Sequence, residues 1–359
     1  MTRVLISTDA VGGVWRYSLE LAQGLSRHGC ETVLAVLGPP PDAAQREAAQ
    51  TVPNLRLVVT GQALDWTADS PDALNQAATC LAQLAVHEDA DTVQLHAPAL
   101  VGSAIWPVPL IVTVHSCVAT WWRAVHGGCL PPDLAWRAAA AADGLAAADA
   151  VITPSASFAA DLRACYGLSR CIHVIPNGRQ PFPGRGTRRP VVLTAARLWD
   201  EGKGVSTLDA AARLIPHPVY AAGPQIAPHG AVVTYPYLNL LGSLDEASLA
   251  NWYAKSAVFT SVSRYEPFGL AVLEAAQAGC ALVLSDIATF RELWDGAAVF
   301  VPVDDPVALA GALRRVLSDE VEADQLGGLA QARAARFDPH RMVASTWKVH
   351  AAVLAREAI

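Results

Sequence analysis

Short apolar runs of strand length recur along the chain, separated by segments with helical spacing. The runs lie at residues 4–7, 32–37, 55–59, 92–96, 110–115, 150–154 and 171–175, and again at 191–195, 219–222, 232–235, 257–261, 281–285 and 299–301. Most are apolar at successive positions rather than at alternate ones, which is typical of parallel strands buried on both faces. The alternation of strand and helix predicts an α/β protein with doubly wound parallel sheets.

Capping residues support several of the predicted helices. Ser70 and Asp305 each precede a proline, and this pair of residues is typical of an N-cap followed by the first helical position. Further helices are predicted over residues 14–28, 131–148, 157–166, 205–214, 322–336 and 340–357, whereas the segment 117–130 is predicted to be a loop.

The chain is long enough for two domains. It has 359 residues, of which 52% are apolar, so each domain can bury a core of its own. The segment 180–190 is rich in proline, glycine and arginine and is typical of an interdomain linker. We therefore predict an N-terminal domain over 1–180 and a C-terminal domain over 181–340, followed by a last helix over 341–359.

Charge and cysteine content exclude several classes of protein. The net charge is −7 and no run of five basic residues occurs, which argues against nucleic acid as a partner. Neither a signal peptide nor an apolar segment of membrane-spanning length is visible, while loose docking at the inner face of a membrane through a local basic patch stays open. Seven cysteines without a C-x-x-C pair favour free thiols and a cytoplasmic location.

The most informative stretch follows the apolar run 257–261 and contains Glu266 and Glu274. Pro267 favours a turn at Glu266, and the pattern is helical from Phe268 onward, so Glu274 is expected inside a helix. The start of a helix has unpaired amides that suit an anion. The amides concerned are those of Phe268, Gly269 and Leu270. Eight residues of helix rise about 12 Å, which is the approximate span of a sugar diphosphate.

A second motif combines two cations. Arg197 follows the strand predicted over 191–195, and Lys203 immediately precedes a predicted helix. Both side chains can point into one pocket at a helix N-terminus, where the helix dipole adds to their charge. This arrangement suits a diphosphate, and it would also stabilise the charge that grows on a departing diphosphate. A solvated pair of surface cations is the alternative interpretation.

The beginning of the chain carries a glycine turn and, further on, a histidine at a strand end. Asp9 follows the first strand, and Gly12 and Gly13 would allow the backbone to come close to a ligand. The turn lacks the G-x-G-x-x-G fingerprint of dinucleotide-binding domains. His115 ends the run 110–115, at the carboxyl edge where α/β sheets bind ligands. A plain tight turn and a structural histidine are the alternatives.

Together these motifs resemble those of retaining GT-B glycosyltransferases, in particular the GT4 family (glycosyl transferases group 1). Glu266 and Glu274 match the E-x7-E motif of that family. Arg197 and Lys203 match its G-R-L-x-x-x-K-G element, with Ala196 in place of the usual glycine. The resemblance implies two Rossmann-like domains that face a central cleft, with the last helix crossing back to the first domain.

The resemblance also implies roles for individual residues. In the family, the first glutamate contacts the donor sugar, the second holds the ribose, and the two cations hold the diphosphate. The residues implied in catalysis are His115, Glu266, Arg197 and Lys203. The residues implied in donor binding are Gly12, Gly13, Arg197, Lys203, Leu244, Glu266, Pro267, Phe268, Gly269, Leu270 and Glu274.

The acceptor is expected on the N-terminal domain, near Asp9, Trp121, Trp122 and Arg123. Aromatic rings that face a cleft commonly stack on sugar faces, but paired tryptophans also pack in ordinary cores. The sequence leaves both interpretations open.

A metal ion is not expected. The sequence Asp89-Ala90-Asp91 matches the D-x-D pattern that binds divalent cations in the other large glycosyltransferase fold, but it is distant from the motifs of the second half. Arg197 and Lys203 can supply the positive charge that a metal would provide. We therefore predict no metal and no cofactor, with a UDP- or GDP-sugar as the donor substrate.

The resemblance predicts a hexosyltransferase that transfers a sugar, with retention, to a hydroxyl of a glycan, a glycolipid precursor or a small molecule, as in polysaccharide biosynthesis. One alternative is a nucleotide-sugar 2-epimerase on the same scaffold, which would need a pair of catalytic acids and a histidine. The other is a non-catalytic nucleotide-sugar-binding protein, against which the intact charged motifs count. The base, the sugar, the acceptor, the linkage and the oligomeric state are not specified by the sequence.

Overall fold

The computed structural model describes residues 1–181, 187–228 and 230–357. The chain forms two compact units. Unit 1 comprises residues 1–178 together with 339–359, and unit 2 comprises residues 179–338. Of the predicted linker over 180–190, residues 182–186 lie outside the described part of the chain.

Unit 1 contains a seven-stranded parallel sheet. Its strands are β1 (Arg3–Asp9), β2 (Glu31–Leu37), β3 (Leu55–Val59), β4 (Thr92–Leu95), β5 (Leu110–Thr113), β6 (Ala150–Thr153) and β7 (His173–Val174). Their order is β3-β2-β1-β4-β5-β6-β7, so the direction of winding reverses between β1 and β4. Ligands of doubly wound sheets bind at the carboxyl edge beside such a reversal.

Unit 2 contains a six-stranded parallel sheet of the same kind. Its strands are β8 (Arg189–Ala195), β9 (Val219–Ala222), β10 (Asn239–Gly242), β11 (Ser256–Ser261), β12 (Ala281–Ser285) and β13 (Val299–Val301). Their order is β10-β9-β8-β11-β12-β13, and the reversal lies between β8 and β11. The two sheets confirm the predicted α/β class with doubly wound parallel sheets.

Helices connect the strands in both units. Unit 1 has α1 (Gly13–Arg27), α2 (Ala43–Gln50), α3 (Pro71–His87), α4 (Val118–Val125), α5 (Pro132–Ala147) and α6 (Ala156–Tyr166). Unit 2 has α7 (Val205–Ala212), α8 (Glu246–Lys255), α9 (Leu270–Gln277), α10 (Ala288–Trp294), α11 (Pro306–Ser318) and α12 (Glu320–Ala334), and α13 (Pro339–Glu357) belongs to unit 1. The predicted caps are present, because Ser70 accepts a hydrogen bond from the amide of Ala73 and Asp305 accepts one from that of Ala308.

The strands of unit 2 are buried on both faces, as their continuous apolar runs predict. Leu193 and Phe259 point into one core cluster, while their neighbours Val192 and Val258 point into the other. Because side chains alternate along a strand, each strand contributes to two layers of core. This burial fixes the register of β8 and β11 and therefore the position of the loops that follow them.

Helix α13 completes the core of unit 1. Met342, Val343, Val349 and Val353 are all buried in the same cluster as the apolar residues of β1 and α1. A Cβ added to Gly24 of α1 would lie 2.2 Å from a methyl carbon of Val343, so the two helices pack closely at this glycine.

Three local predictions were wrong. The segment 117–130 contains helix α4, because Trp121, Trp122 and Val125 repeat at helical spacing after the N-cap Cys117. Within the described residues, 232–235 form no strand, and Val232 makes only an isolated bridge. Helix α9 begins at Leu270 rather than Phe268. The shift follows from Gly269, which adopts a left-handed conformation with φ of 90°. The pattern also missed α2, α10 and β10.

No helix in the described residues has the length and hydrophobicity needed to cross a bilayer. All seven cysteines are free thiols, and three of them, Cys30, Cys117 and Cys280, are buried.

Candidate active site

The charged motifs of unit 2 lie on loops that follow neighbouring strands. The β8 loop (196–204) and the β11 loop (262–269) leave the sheet on either side of its reversal point. The amides of Arg264 and Tyr265 donate hydrogen bonds to the carbonyl of Gly202, over 2.9 and 3.2 Å. Two motifs that are distant in sequence are therefore joined by main-chain hydrogen bonds.

Asp200 organises the β8 loop. Its Oδ1 accepts a hydrogen bond from the amide of Gly202 at 3.0 Å, at the start of a 3-10 turn, and its Oδ2 accepts one from Arg197 Nη2 at 2.8 Å. The side chain of Asp200 is buried, whereas that of Arg197 is 43% exposed. The guanidinium is thus anchored on one side and accessible to a ligand on the other.

Gly204 lies where the two loops meet. It has a left-handed φ of 62° and precedes the first turn of α7. A Cβ at this position would lie 2.2 Å from the carbonyl oxygen of Val262, which no side chain can accommodate without a backbone shift. The N-terminus of α7 can therefore approach the β11 loop this closely only because residue 204 is a glycine.

Lys203 and Glu266 form an ion pair across the two loops. Lys203 Nζ lies 2.7 Å from Glu266 Oε2, and both side chains are largely buried. Together with the pair between Arg197 and Asp200, this makes a cluster of two cations and two carboxylates without net charge. The structure thus places Arg197, Lys203 and Glu266 on adjoining loops, but both cations already have carboxylate partners.

The segment between the two predicted donor glutamates is only partly helical. Phe268 is buried against the ring of Phe337 at a centroid distance of 5.5 Å, and Pro267 is also buried. Gly269 is the N-cap of α9, and a Cβ at this position would lie 3.2 Å from the side chains of Phe290 and Val272. Leu270 begins the helix, so Glu266 precedes it while Glu274 lies inside it.

Glu274 is a buried carboxylate with partners on both oxygens. Its Oε1 accepts a hydrogen bond from Arg179 Nε at 3.2 Å, and its Oε2 accepts one from the hydroxyl of Tyr253 at 3.1 Å. Arg179 also pairs with Glu246 at the first position of α8. A buried carboxylate is tolerated where a cation and hydrogen-bond donors surround it.

The segment around Leu244 leads from β10 into α8. Leu244 is half-buried against the core, and the following residue, Asp245, accepts a hydrogen bond from the amide of Ser248 at 2.7 Å. This bond lowers the pKa of Asp245 because it stabilises the ionised form. The N-cap fixes the chain direction directly after Leu244.

The glycine turn of unit 1 is held by Asp9. Its Oδ1 accepts hydrogen bonds from the amides of Val11 and Gly12 at 2.8 and 3.2 Å. A Cβ at Gly12 would have no neighbour within 4 Å, so this turn is open to its surroundings. Gly13 is the first residue of α1. The turn follows β1, at the reversal point of the sheet of unit 1.

His115 lies two residues beyond the end of β5 and packs against two other rings. Its ring centroid lies 4.6 Å from that of Tyr17 and 5.0 Å from that of His96, both in edge-on geometry. Its Nε2 is buried without a hydrogen-bond partner among the described residues. Burial lowers the pKa of His115 to about 4, so its imidazole is neutral at physiological pH.

A buried polar network lies next to these rings. Gln94 of β4 donates a hydrogen bond to the hydroxyl of Thr113 at 2.9 Å and lies 2.8 Å from His350 Nε2 of α13. His350 Nδ1 lies 2.8 Å from the hydroxyl of Thr92. Burial also lowers the pKa values of His96 and His350, the latter to about 3. The network ties the last helix to the central strands of unit 1.

The predicted acceptor residues Trp121, Trp122 and Arg123 lie on helix α4. The two indoles are half-buried, and both contact the ring of His126, with centroid distances of 5.3 and 4.3 Å. Arg123 pairs with Asp161 of α6. These contacts show a packed aromatic cluster on one helix rather than a loop.

The D-x-D segment has a structural environment at the opposite edge of the sheet. Asp91 precedes β4, and its Oδ2 accepts a hydrogen bond from the amide of Arg3 at 2.7 Å. Asp89 adopts a left-handed conformation with φ of 47° in the turn after α3.

Sequence reasoning missed the residues that support the predicted site. Asp200 follows Arg197 by three residues, and this spacing could have suggested their ion pair. Arg179 and Tyr253 carry no comparable signal, because they reach Glu274 only through the fold. The same is true of Tyr17 and His96 beside His115.

Two family models match this chain. The model for glycosyltransferase family 4 matches residues 11–181, and the model for glycosyl transferases group 1 matches residues 189–319. The two matches fall on the two sheet-containing parts of the chain and together cover most of its length.

Known proteins agree with this assignment. The chain is 26% identical over 397 residues to a D-inositol 3-phosphate glycosyltransferase of Xylanimonas cellulosilytica, covering 96% of this chain and 92% of that protein. Its fold is similar to that of sucrose-phosphate synthase from Thermosynechococcus elongatus, with a TM-score of 0.82, 19% identity, and coverage of 99% and 100% of the two chains. It is also similar to Anabaena HepE bound to UDP-glucose, with a TM-score of 0.75, 16% identity, and coverage of 98% and 100%. The two family matches and this fold identify the chain as a glycosyltransferase that belongs to the GT4 family of GT-B enzymes.

Proposed function

We propose that the protein transfers a sugar from a nucleoside diphosphate sugar to an acceptor hydroxyl with retention of anomeric configuration. The observation that carries this proposal is the joined pair of loops in unit 2. There Arg197, Lys203 and Glu266 lie beside the N-termini of two helices at the reversal point of a parallel sheet. Such a position combines side-chain cations with helix dipoles, which suits a diphosphate with a sugar attached.

The diphosphate is proposed to bind Arg197 and Lys203. Because their charges are balanced by Asp200 and Glu266, the ligand must share these cations with the carboxylates. Lysine has three N–H donors and arginine five, so sharing does not require either ion pair to break. The N-termini of α7 and α9 add partial positive charge. Glu266, which is held by Lys203, is then placed to accept hydrogen bonds from sugar hydroxyls.

The nucleoside is proposed to bind further along the same unit. Glu274 would accept hydrogen bonds from the ribose hydroxyls, and the backbone around Leu244 would contact the base. The turn at Pro267, Phe268, Gly269 and Leu270 would place backbone amides near the ligand. HepE, a structural neighbour, binds UDP-glucose, which supports a UDP-sugar as the donor; a GDP-sugar is the other candidate.

Unit 1 is proposed to contribute His115 as a contact of the donor sugar. The same unit is proposed to bind the acceptor. A neutral imidazole can accept or donate a hydrogen bond without adding charge. The open turn at Gly12 and Gly13 leaves room for ligand atoms. Asp9, Trp121, Trp122 and Arg123 are proposed acceptor contacts. The relative that acts on D-inositol 3-phosphate supports a small hydroxylated acceptor, and glycans and glycolipids are the other candidates.

The proposed chemistry is attack by the acceptor on the face from which the leaving group departs. The acceptor oxygen forms a bond to the anomeric carbon while the bond from that carbon to the diphosphate oxygen breaks. The acceptor proton passes to the departing diphosphate, so no protein nucleophile is needed. Arg197 and Lys203 stabilise the negative charge that accumulates on the leaving group.

The first experiment is a thermal-shift screen with UDP, GDP and ADP and with their sugars. The nucleotide that stabilises the protein identifies the base. Incubation of that donor with sugar acceptors should release free nucleoside diphosphate, and an early NMR spectrum should show the donor's anomeric configuration in the product. An inverted product would refute the proposed stereochemistry, and interconversion of free sugar nucleotides without transfer would indicate an epimerase instead.

A further inference from the structure

Arg179, the first residue of unit 2, is fixed in place by its backbone. Its amide donates to the carbonyl of Phe337 at 3.4 Å, and its carbonyl accepts a hydrogen bond from Gln277 Nε2 at 2.8 Å. Gln277 is the last residue of α9, and its own carbonyl accepts a hydrogen bond from Gln331 of α12. The start of unit 2 is therefore anchored to the end of the helix that carries Glu274.

The side chain of Arg179 links two carboxylates on different helices. Its Nε donates to Glu274 of α9 at 3.2 Å, and its Nη2 pairs with Glu246 of α8. The side chains of Arg179 and Glu274 are 9% and 3% exposed, whereas that of Glu246 is 60% exposed. One guanidinium thus joins a buried acid to a solvent-facing acid.

This link has a geometric consequence for Glu274. The planar guanidinium of Arg179 presents Nε to Glu274 and Nη2 to Glu246 in one fixed geometry, which a lysine ammonium cannot reproduce. Tyr253 holds the second oxygen of the same carboxylate at 3.1 Å. Glu274 is therefore held from two directions before any ligand arrives, which is the condition for low reorganisation on binding.

The link to Glu246 reaches a second element. Glu246 is the first residue of α8, and only Asp245 separates it from Leu244. Any ligand that contacts both Glu274 and the backbone near Leu244 spans two elements that Arg179 holds together. Tyr253 also lies on α8, so loss of Arg179 would remove one of two polar links between α8 and Glu274 and leave the hydrogen bond from Tyr253.

We propose that Arg179 is a positioning residue for the nucleoside half of the donor. It orients Glu274 toward the ribose and holds the start of α8, and with it the segment that contacts the base. This inference rests on the proposed function, because it takes Glu274 and Leu244 as donor contacts. It assigns Arg179 no contact with the diphosphate or with the transferred sugar.

The test compares Arg179→Lys with wild type by calorimetry. The probes are inorganic pyrophosphate and whichever of UDP, GDP and ADP wild type binds. Arg179→Lys should weaken nucleoside diphosphate binding on the order of tenfold, as expected for one charge-assisted hydrogen bond. Pyrophosphate binding should change less than about twofold, and the rate at saturating donor should change little while the donor KM rises.

A matched control is Arg333→Lys. Arg333 is a part-buried arginine of unit 2 whose guanidinium donates to the carbonyls of Leu293 and Asp295. This variant should bind both probes like wild type. If Arg179→Lys does not fold, Glu246→Gln provides the second test, because it loosens only the exposed side of the link. Glu246→Gln should weaken nucleoside diphosphate binding about threefold and leave pyrophosphate binding unchanged.

The outcomes separate this inference from the proposed function. If wild type binds none of UDP, GDP and ADP, the proposed function fails. If wild type binds a nucleoside diphosphate and both Arg179→Lys and Glu246→Gln bind it equally well, the role of Arg179 is refuted. Equal weakening of nucleoside diphosphate and pyrophosphate would also refute it, because a general loss of unit 2 structure affects both probes.

Discussion

The ammonium group of Lys203 lies 2.7 Å from the carboxylate of Glu266, although the two residues follow different strands of the unit 2 sheet. The pair is largely buried, so neither charge is fully solvated if its partner is removed. The two residues are therefore expected to act as a coupled unit in binding and in turnover.

Coupling between these residues can be measured with a double-mutant cycle. Lys203→Ala should weaken nucleoside diphosphate binding about tenfold to a hundredfold, because it removes a cation and leaves Glu266 to repel the ligand. In the background of Glu266→Gln, the loss of binding free energy caused by Lys203→Ala should be smaller by about 1–2 kcal/mol. Calorimetry on the four proteins measures this difference, and strictly additive losses would show that the pair does not act on the diphosphate together.

Glu266 and Glu274 are predicted to affect different parts of the donor. Glu274→Gln should weaken nucleoside diphosphate binding about tenfold, since the ribose loses a charged acceptor. Glu266→Gln should leave that affinity nearly unchanged but reduce turnover and the affinity for the intact donor. Glutamine is used instead of alanine at Glu274 because alanine would leave Arg179 without its buried partner. If both changes weaken nucleoside diphosphate binding alike, the placement of the donor along this segment is wrong.

Activity is predicted to survive chelation of metals. Arg197, Lys203 and the N-termini of α7 and α9 supply the positive potential at the proposed diphosphate site. Initial rates should be the same within error with and without EDTA. Loss of activity that Mg²⁺ or Mn²⁺ restores would mean that the diphosphate is held in another way.

Gly204→Ala should disrupt the junction of the two loops. The new Cβ would meet the Val262 carbonyl and would also disfavour the left-handed backbone, for a combined loss of about 2–4 kcal/mol. Thermal unfolding should occur earlier, and nucleotide binding should weaken. Gly328→Ala is the matched control, because a Cβ there has no neighbour within 4 Å and α12 continues through this position. Equal effects of the two substitutions would contradict this account.

Acid should destabilise unit 1 through its buried histidines. The pKa of His350 is lowered to about 3, so between pH 6.5 and pH 4 the unfolded chain binds a proton that the folded chain does not. Its contribution to stability is present above pH 6.5 and is lost as the pH falls, by up to about 1.4 kcal/mol per pH unit. The pKa values of His115 and His96 are also lowered by burial, so these residues contribute to acid sensitivity with the same sign.

The check is urea unfolding between pH 5 and pH 7. His350→Gln should reduce the slope of stability against pH, whatever its effect at a single pH. His87→Gln, at a position that is 76% exposed, is the control substitution. A His350→Gln protein with the slope of wild type would show that this histidine is not the source of the acid sensitivity.

The strand pattern was predictable because burial on both faces leaves a continuous apolar signal. Val192 and Leu193 pack into two different cores, so consecutive positions of the strand are both apolar in the sequence. The start of α9 was not predictable to the residue, because the left-handed Gly269 delays a helix that the apolar spacing alone would begin earlier. Helix α4 was missed because its eight residues are followed by the loop-forming pair Gly127 and Gly128.

The charged motifs were recognisable from the sequence, but the partners of those charges were not. The ion pairs of Lys203 with Glu266 and of Arg179 with Glu274 join residues that lie far apart in the chain. Local spacing carries no information about such contacts, which depend on which strands are neighbours. The sequence therefore suggested two free cations where the fold forms a balanced cluster.

The return of α13 to unit 1 has a consequence for synthesis on the ribosome. Residues 1–178 emerge first, but the surface of α1 at Gly24 lacks Val343, and Gln94 lacks its partner His350, until α13 has been made. All of unit 2 is translated in that interval. The nascent first unit therefore exposes apolar surface until α13 is synthesised. Chains that terminate within unit 2 lack α13 and should depend on chaperones.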